Sequence, residues 1–150
     1  MIRNYKALLN KILTKEELAE TYKTFASEQE FVNYVISLPI INRHDWAEES
    51  MDTPIHEFIN KRLKAFGVET LKLERATYWE NFTKYNQNPK RGDWIVYALA
   101  CYDASIRRHG YRLILADTLD DTYRIMVVEK ANATKLHQIK SEQISFKYVN

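Results

Sequence analysis

The residue types most able to do chemistry lie in one polar stretch of the first half of the sequence. The stretch contains Arg43, His44, Asp45, Trp46, Glu48, Glu49, Asp52, His56 and Glu57. A histidine near carboxylates can act as a general base with an orienting acid, or supply half of a divalent-metal site. The two histidines with Asp45 and Glu57 would then serve a small hydrolase or nuclease. The plainer interpretation is a polar loop that enters a helix, with Asp52 near the positive N-terminal end of that helix.

Trp46 gives the same stretch a second possible role, as a contact for another protein. Tryptophan is among the residue types that contribute most to the binding energy of protein interfaces. The candidate partner-binding residues here are Trp46, Glu48, Glu49 and Asp52. Trp79, further along the chain, is a candidate of the same kind.

A second group of carboxylates lies between two β-rich runs. Asp117, Asp120 and Asp121 fall within five residues of one another. They could hold Ca²⁺ or Mg²⁺, or present an acidic patch to a basic partner. The stretch lacks the calcium-loop pattern, and aspartate is a common turn former. A structural turn is therefore favoured over a metal site, and the three aspartates are kept as candidate partner-binding residues.

Basic side chains could indicate nucleic-acid binding. They are Lys61, Arg62, Lys64, Lys84, Lys90 and Arg91, followed by Arg107, Arg108 and His109. A helix of about seventeen residues would separate the groups before and after the apolar segment by roughly 25 Å, so they do not form one patch along it. Solvated helix faces and a helix C-terminus that attracts cations explain these residues more simply.

Two single residues in the apolar segment are also candidates. Asp103 follows the apolar run, where a buried carboxylate would be of the kind that enzymes use. The simpler expectation is that Asp103 marks the polar edge of a helix. Cys101 is expected to be a small core residue, because a nucleophilic thiolate needs a basic neighbour and access to solvent.

The sequence lacks the common motifs of cofactor and metal sites. It has no phosphate loop, dinucleotide fingerprint, zinc cysteine pair, nucleophile elbow or helical two-histidine zinc motif. The three glycines, Gly67, Gly92 and Gly110, are too scattered to form a glycine-rich phosphate cradle. We therefore expect no cofactor and no metal, and surface recognition is favoured over catalysis.

Length and composition indicate one folded domain, residues 1–150. Of the residues, 45% are hydrophobic, and 22 basic against 20 acidic side chains give a formal net charge of +2. A chain of this size buries about two-thirds of its surface on folding, enough for a core without disulfides. The N-terminus has no secretory pattern, and the longest apolar run, Trp94 to Tyr102, is too short to span a bilayer. The expected location is the cytoplasm.

Apolar spacing predicts helices through most of the first half. They run from Tyr5 to Leu13, Thr14 to Phe25, Ser27 to Leu38 and Thr53 to Phe66, with a short aromatic helix from Tyr78 to Tyr85. Thr14 and Ser27 begin capping-box patterns, and Pro39 and Gly67 are stop signals. Residues 40–53 show no clear pattern, and residues 68–73 favour a short strand.

The second half predicts a helix followed by strands. Asp93 is the expected cap of a helix from Trp94 to about His109, apolar all round in its first nine residues, with Gly110 as its stop. Tyr111–Ala116 and Thr122–Val128 then predict a hairpin, and Ile144–Val149 an edge strand. The predicted fold class is α+β, in which a helical N-terminal half and a central apolar helix pack against a small antiparallel sheet.

These features favour a non-enzymatic protein-binding domain. In size and general character, with acidic turns beside aromatic side chains, the chain resembles the small bacterial immunity proteins that neutralise a cognate toxin by direct binding. The resemblance implies a cytoplasmic inhibitor whose partner is another protein, without membrane association. The near-neutral charge argues against a strongly basic nuclease as that partner. The alternatives are the small hydrolase or nuclease described above and a nucleic-acid-binding domain.

Overall fold

The computed structural model describes residues 2, 4–21, 24–39, 41–45, 52–69, 72, 75–90, 92–120 and 122–149. Of residues 42–45, 52–54, 75–76 and 123 it describes the backbone alone. The helices are α1 (Tyr5–Ile12), α2 (Lys15–Ala19), α3 (Glu28–Ser37), α4 (Asp52–Ala65), α5 (Arg75–Tyr85), α6 (Asp93–Arg107) and α7 (Lys130–His137). The strands are β1 (Asn42–Asp45), β2 (Tyr111–Asp117), β3 (Thr122–Glu129) and β4 (Ser145–Tyr148). The predicted α+β class is confirmed.

The four strands form one antiparallel sheet in the order β1-β3-β2-β4. The central hairpin pairs Leu113 with Val127 and Leu115 with Ile125. β1 and β4 are the short edges, as expected for the C-terminal strand. β1 was not predicted, because its polar residues form a strand only through pairing with β3, which is distant in sequence.

Both faces of the sheet are covered by helices. Strand side chains alternate between faces, so Leu113 and Val127 lie in one buried cluster, with residues of α4, α5 and α6. Ile114 and Met126 lie in the other cluster, with residues of α1, α3 and α7. The sequence predicted contact between the sheet and the central helix, which the first cluster confirms. The opposite layer arises from the apolar faces of α1 and α3.

Local signals set several helix ends as predicted. Thr14 and Glu17 form a complete capping box, each side chain accepting from the other residue's backbone N–H. The Ser27 side chain caps α3, which ends just before Pro39. α2 ends at Ala19, earlier than the predicted stripe to Phe25, and α4 begins at Asp52, before the expected cap at Thr53.

Helix α6 differs from expectation in two ways. Its burial is one-sided, because Val96 is 48% exposed while Ala98 and Leu99 are buried. Gly92, in a left-handed conformation with φ of 91°, is the N-cap. Asp93 is instead the first helical residue, and its carboxylate accepts from the backbone N–H of Lys90 at 2.7 Å. Gly110 follows the helix with φ of 89°, as predicted.

Two further elements depart from the sequence interpretation. α7 was not predicted, because only Ala133 and Leu136 in it are buried and its apolar spacing is weak. Val68 lies outside any strand, and Leu71 and Leu73 lie outside the described residues. Among the described helices, none has the length and apolarity needed to cross a membrane.

Asp103 fixes α6 to β2. Its side chain is fully buried and accepts from Arg107 at 2.7 Å, from Arg112 at 3.0 and 3.1 Å, and from the backbone N–H of Leu113 at 2.8 Å. The expectation that Asp103 marks the polar edge of the helix is therefore wrong. Its partners neutralise its charge and position the start of the hairpin.

Arg62 fixes α4 to α2 in a similar way. The residue is only 5% exposed, and its guanidinium donates to both carboxylate oxygens of Glu17, at 2.6 and 3.0 Å. Burial raises the pKa of Glu17, but the hydrogen bonds from Arg62 and Thr14 outweigh it, so the net pKa lies below the usual value. Arg62 is thus committed to an internal pair and is not part of a wet basic face.

Candidate functional site

The turn between β2 and β3 is built by its own aspartates. Asp117 accepts from the backbone N–H of Leu119 at 2.8 Å, and Asp120 accepts from that of Thr122 at 3.1 Å. Such short-range side-chain bonds replace backbone pairing in a tight turn. The prediction that aspartates form a structural turn is confirmed for these two residues, and Asp121 lies outside the described residues.

Each of these two aspartates also has a basic partner. Lys147 donates to Asp117 at 2.6 Å, and Arg124 donates to Asp120 at 2.8 Å. Arg124 is 7% exposed and also donates to Thr118 at 2.8 Å. The hydrogen bond from Arg124 is the main reason that the pKa of Asp120 falls to about 2, and that from Lys147 is the main reason that the pKa of Asp117 is lowered. Both carboxylates are therefore ionised at neutral pH, and the negative charge of each is balanced by its basic partner.

Leu119 projects from the middle of this turn. It is 78% exposed and has φ of 67°, the one positive φ of a non-glycine residue in the described chain. A left-handed conformation costs an L-residue roughly 1–2 kcal/mol, and the exposed side chain gains little from burial. The hydrogen bonds of the two aspartates hold the turn in this shape. Sequence reasoning missed Leu119, although an isolated leucine among polar turn residues was visible there.

The sheet register brings Asp45, of the first candidate stretch, to the same end of the sheet as the turn between β2 and β3. Asp45, at the end of β1, pairs with Thr122, at the start of β3, and Asp117 pairs with Ser145. We call this end of the sheet, defined by Asp45, Asp117, Thr122 and Ser145, the tip end. Residues 46–51, including Trp46, Glu48 and Glu49, lie outside the described ranges.

Trp79 packs on the start of α6. Its ring lies edge-on against that of Trp94 at 4.8 Å, and the residue is 44% exposed.

The described residues do not bring the side chains of the catalytic alternative together into a site. His44 and Asp45 are in β1, but their side chains are outside the description, as is that of Asp52 in α4. The His56 ring lies 6.3 Å from the ring of Tyr102, whereas Glu57, next to it on the helix, points into solvent. Within the described ranges, no three His, Cys, Asp or Glu side chains are grouped closely enough to hold a metal ion.

The remaining candidates are either engaged in structural contacts or exposed to solvent. Cys101 is partly buried, and burial raises the pKa of its thiol, which disfavours the nucleophilic thiolate. Arg107 is engaged by Asp103, and Arg91 lies outside the described residues. Lys61, Lys64, Lys84 and Lys90 are exposed, as are Arg108 and His109.

Comparisons with known proteins place the whole fold in one family. No curated protein and no solved structure matches the chain. Residues 5–149 match the family described as a domain of unknown function, DUF6630, and this range includes every element from α1 to β4. The chain therefore belongs to the DUF6630 family.

Proposed function

We propose that this chain is a non-enzymatic protein-binding domain that recognises its partner through the tip end of the sheet. In its most concrete form the proposal is an immunity-type inhibitor that neutralises a cognate toxin by direct binding. The observation that carries it is Leu119, a strained and exposed leucine held in place by internal hydrogen bonds. Backbone strain that the surrounding structure maintains is concentrated at functional sites.

The rigidity of the turn favours binding. A contact that is already ordered loses little conformational entropy when a partner docks. The Asp117 and Asp120 side chains fix the backbone on both sides of Leu119.

The paired charges define the kind of partner. Because Lys147 and Arg124 neutralise Asp117 and Asp120, this turn offers an apolar projection more than a field of negative charge. Strong attraction to a highly basic protein is therefore not expected from these two residues. We propose a partner with a small apolar pocket, whose affinity depends weakly on salt concentration.

The binding test compares the same substitution at two exposed hydrophobic residues, one in the turn and one outside it. The partner is first purified from source cells with the intact chain, and dissociation constants are then measured with both proteins pure. We expect Leu119→Asp to weaken binding more than tenfold, because a desolvated carboxylate would enter the apolar pocket. Val96→Asp, a change at another exposed hydrophobic position, is the matched control and should bind like the wild type. Equal affinities for the wild type and Leu119→Asp would contradict recognition through the tip end.

The toxin-inhibitor form of the proposal has its own experiment. The product of the reading frame next to this gene is expressed in a sensitive cell with the wild-type chain, with Leu119→Asp or with Val96→Asp. We expect the wild type and Val96→Asp to restore growth and Leu119→Asp to fail. A neighbouring product that is harmless, or toxicity that none of the chains relieves, would contradict the inhibitor form while leaving the binding measurement to test recognition itself.

A further inference from the structure

A cleft of about 650 Å³ is lined by residues of α1 and α2 and by Thr21, Thr24 and Phe25, which precede α3. Pockets for small ligands usually measure roughly 300–1,000 Å³, so the cleft is large enough for a ligand. None of the residues that define the tip end lines it. An occupant here would therefore be independent of the proposed protein partner.

The floor of the cleft is apolar and already formed. Leu9 is 3% exposed, and Leu18 and Phe25 are half-buried beside it. The Phe25 ring is held by edge contacts with Tyr5 at 5.6 Å and with Phe31 at 5.0 Å. These contacts belong to the core, so the ring is not free to swing into the cleft and fill it.

The rim carries two lysines and, among the described lining residues, no acid. Lys6 and Lys15 are both exposed, one on each helix. Each precedes a lining leucine of its own helix by three positions, and side chains three apart lie on the same helix face. Glu17 does not line the cleft, because its carboxylate is bonded to Arg62 and to the backbone N–H of Thr14.

We propose that this cleft binds an amphiphilic anion, specifically a free long-chain carboxylate. The hydrocarbon chain would cover the half-buried Leu18 and Phe25, above the buried Leu9, and the carboxylate would sit between Lys6 and Lys15. A small polar anion would leave Leu18 and Phe25 partly in water, and an uncharged hydrocarbon would leave the two ammonium groups unused. A ligand that is apolar along its length and anionic at one end satisfies both parts of the cleft.

The experiment is a titration of the full chain with dodecanoate below its critical micelle concentration. Calorimetry measures the binding, and amide chemical shifts locate it. We expect one dodecanoate per chain, with shifts centred on α1 and α2. The double variant Lys6→Gln/Lys15→Gln should bind about tenfold more weakly, since each exposed charge pair contributes modestly. Lys61→Gln/Lys84→Gln changes the net charge equally but removes lysines outside the cleft, and should bind like the wild type.

Two further measurements keep the test decisive. Ala19→Trp places a large side chain on the lining of the cleft and should block dodecanoate while leaving both lysines in place. Dodecyltrimethylammonium, with the same chain and the opposite charge, should not compete. Equal dodecanoate affinity in the wild type and the Lys6→Gln/Lys15→Gln variant would overturn the proposal. So would binding to anionic lipid vesicles without binding of monomeric dodecanoate.

Discussion

Replacing Asp103 by alanine tests the link between α6 and the hairpin. The carboxylate is fully buried, and its removal leaves the Leu113 N–H and the Arg112 guanidinium, whose side chain is 14% exposed, without their acceptor. A buried N–H without a partner costs about 1–3 kcal/mol, and a fully buried ion without its partner about 3–5 kcal/mol. Partial access of Arg112 to solvent reduces the second figure. We expect a total loss of about 3–4 kcal/mol in the free energy of unfolding.

Urea denaturation followed by circular dichroism measures this loss as a lower transition midpoint. In a domain of this size each kcal/mol lowers Tm by roughly 2–4 °C, so Asp103→Ala should melt about 6–16 °C below the wild type. Glu80→Ala, at an exposed position of α5, should change the free energy by no more than about 0.5 kcal/mol.

A double variant distinguishes the cost of leaving a charge unpaired from the net contribution of the ion pair to stability. When Asp103→Leu is combined with Arg112→Met, no unpaired charge is left at β2, and buried pairs can be replaced by apolar residues at little cost. We expect the double variant to recover only the part of the Asp103→Ala loss that comes from the unpaired Arg112, because the Leu113 N–H still lacks an acceptor and Arg107 still lacks its partner. The reasoning would be refuted by an Asp103→Ala loss below about 1 kcal/mol, or by a double-variant loss equal to the sum of the single losses.

Three further outcomes follow from the other polar contacts. Glu17→Gln should lower the free energy of unfolding by about 2–3 kcal/mol in urea titrations, because Arg62 is buried and Glu17 is its carboxylate partner; a change below about 0.5 kcal/mol would contradict this. Leu119→Asn should raise the free energy of unfolding by about 0.5–1 kcal/mol, because asparagine tolerates a left-handed conformation, while binding to the partner falls; unchanged stability would argue against strain. The folded pKa of Asp120, about 2, lies below its ordinary value of 3.8, so its stabilising effect is complete above about pH 5 and is lost as the pH falls toward 2. The urea midpoint of Asp120→Asn should therefore depend less on pH across that range than the wild-type midpoint, and identical pH profiles would contradict the pairing with Arg124.

The elements that could be predicted from sequence are those with strong local signals. The hairpin was visible because Tyr111–Ala116 and Thr122–Val128 are β-rich and the connection between them is polar. α6 was visible because its apolar run lies between a capping residue type at Asp93 and the stop signal Gly110, although the structure moves the cap itself to Gly92. The caps of α2 and α3 are short-range motifs: the box at Thr14 is complete, whereas at Ser27 only the serine cap formed, and the Glu30 carboxylate accepts from the backbone N–H of Ala26.

The features that could not be predicted depend on contacts between distant residues. β1 forms through its pairing with β3, and the polar residues of β1 give no local strand signal that would predict this pairing. The burial of Asp103 depends on Arg112 and on the backbone of Leu113, in another element. Its pairing with Arg107, four residues later, was the one part of this arrangement that helical spacing could have indicated.

The candidate site shows the same division. Aspartates at a turn were predicted from their type alone. Their neutralisation by Arg124 and Lys147 was not, since Lys147 comes from β4, thirty residues after Asp117. This pairing changes the expected contact from an acidic patch to the apolar projection of Leu119, whose conformation becomes visible only once both strands are in register.

Hydrogen–deuterium exchange on the purified complex tests recognition through the tip end most directly. α7 begins directly after the far end of β3, so it serves as an internal reference within the same chain. We predict that the partner slows amide exchange in residues 117–123 and leaves α7 unchanged. Protection confined to α7 or other surfaces, with the turn exchanging as fast as in the free protein, would contradict the proposal.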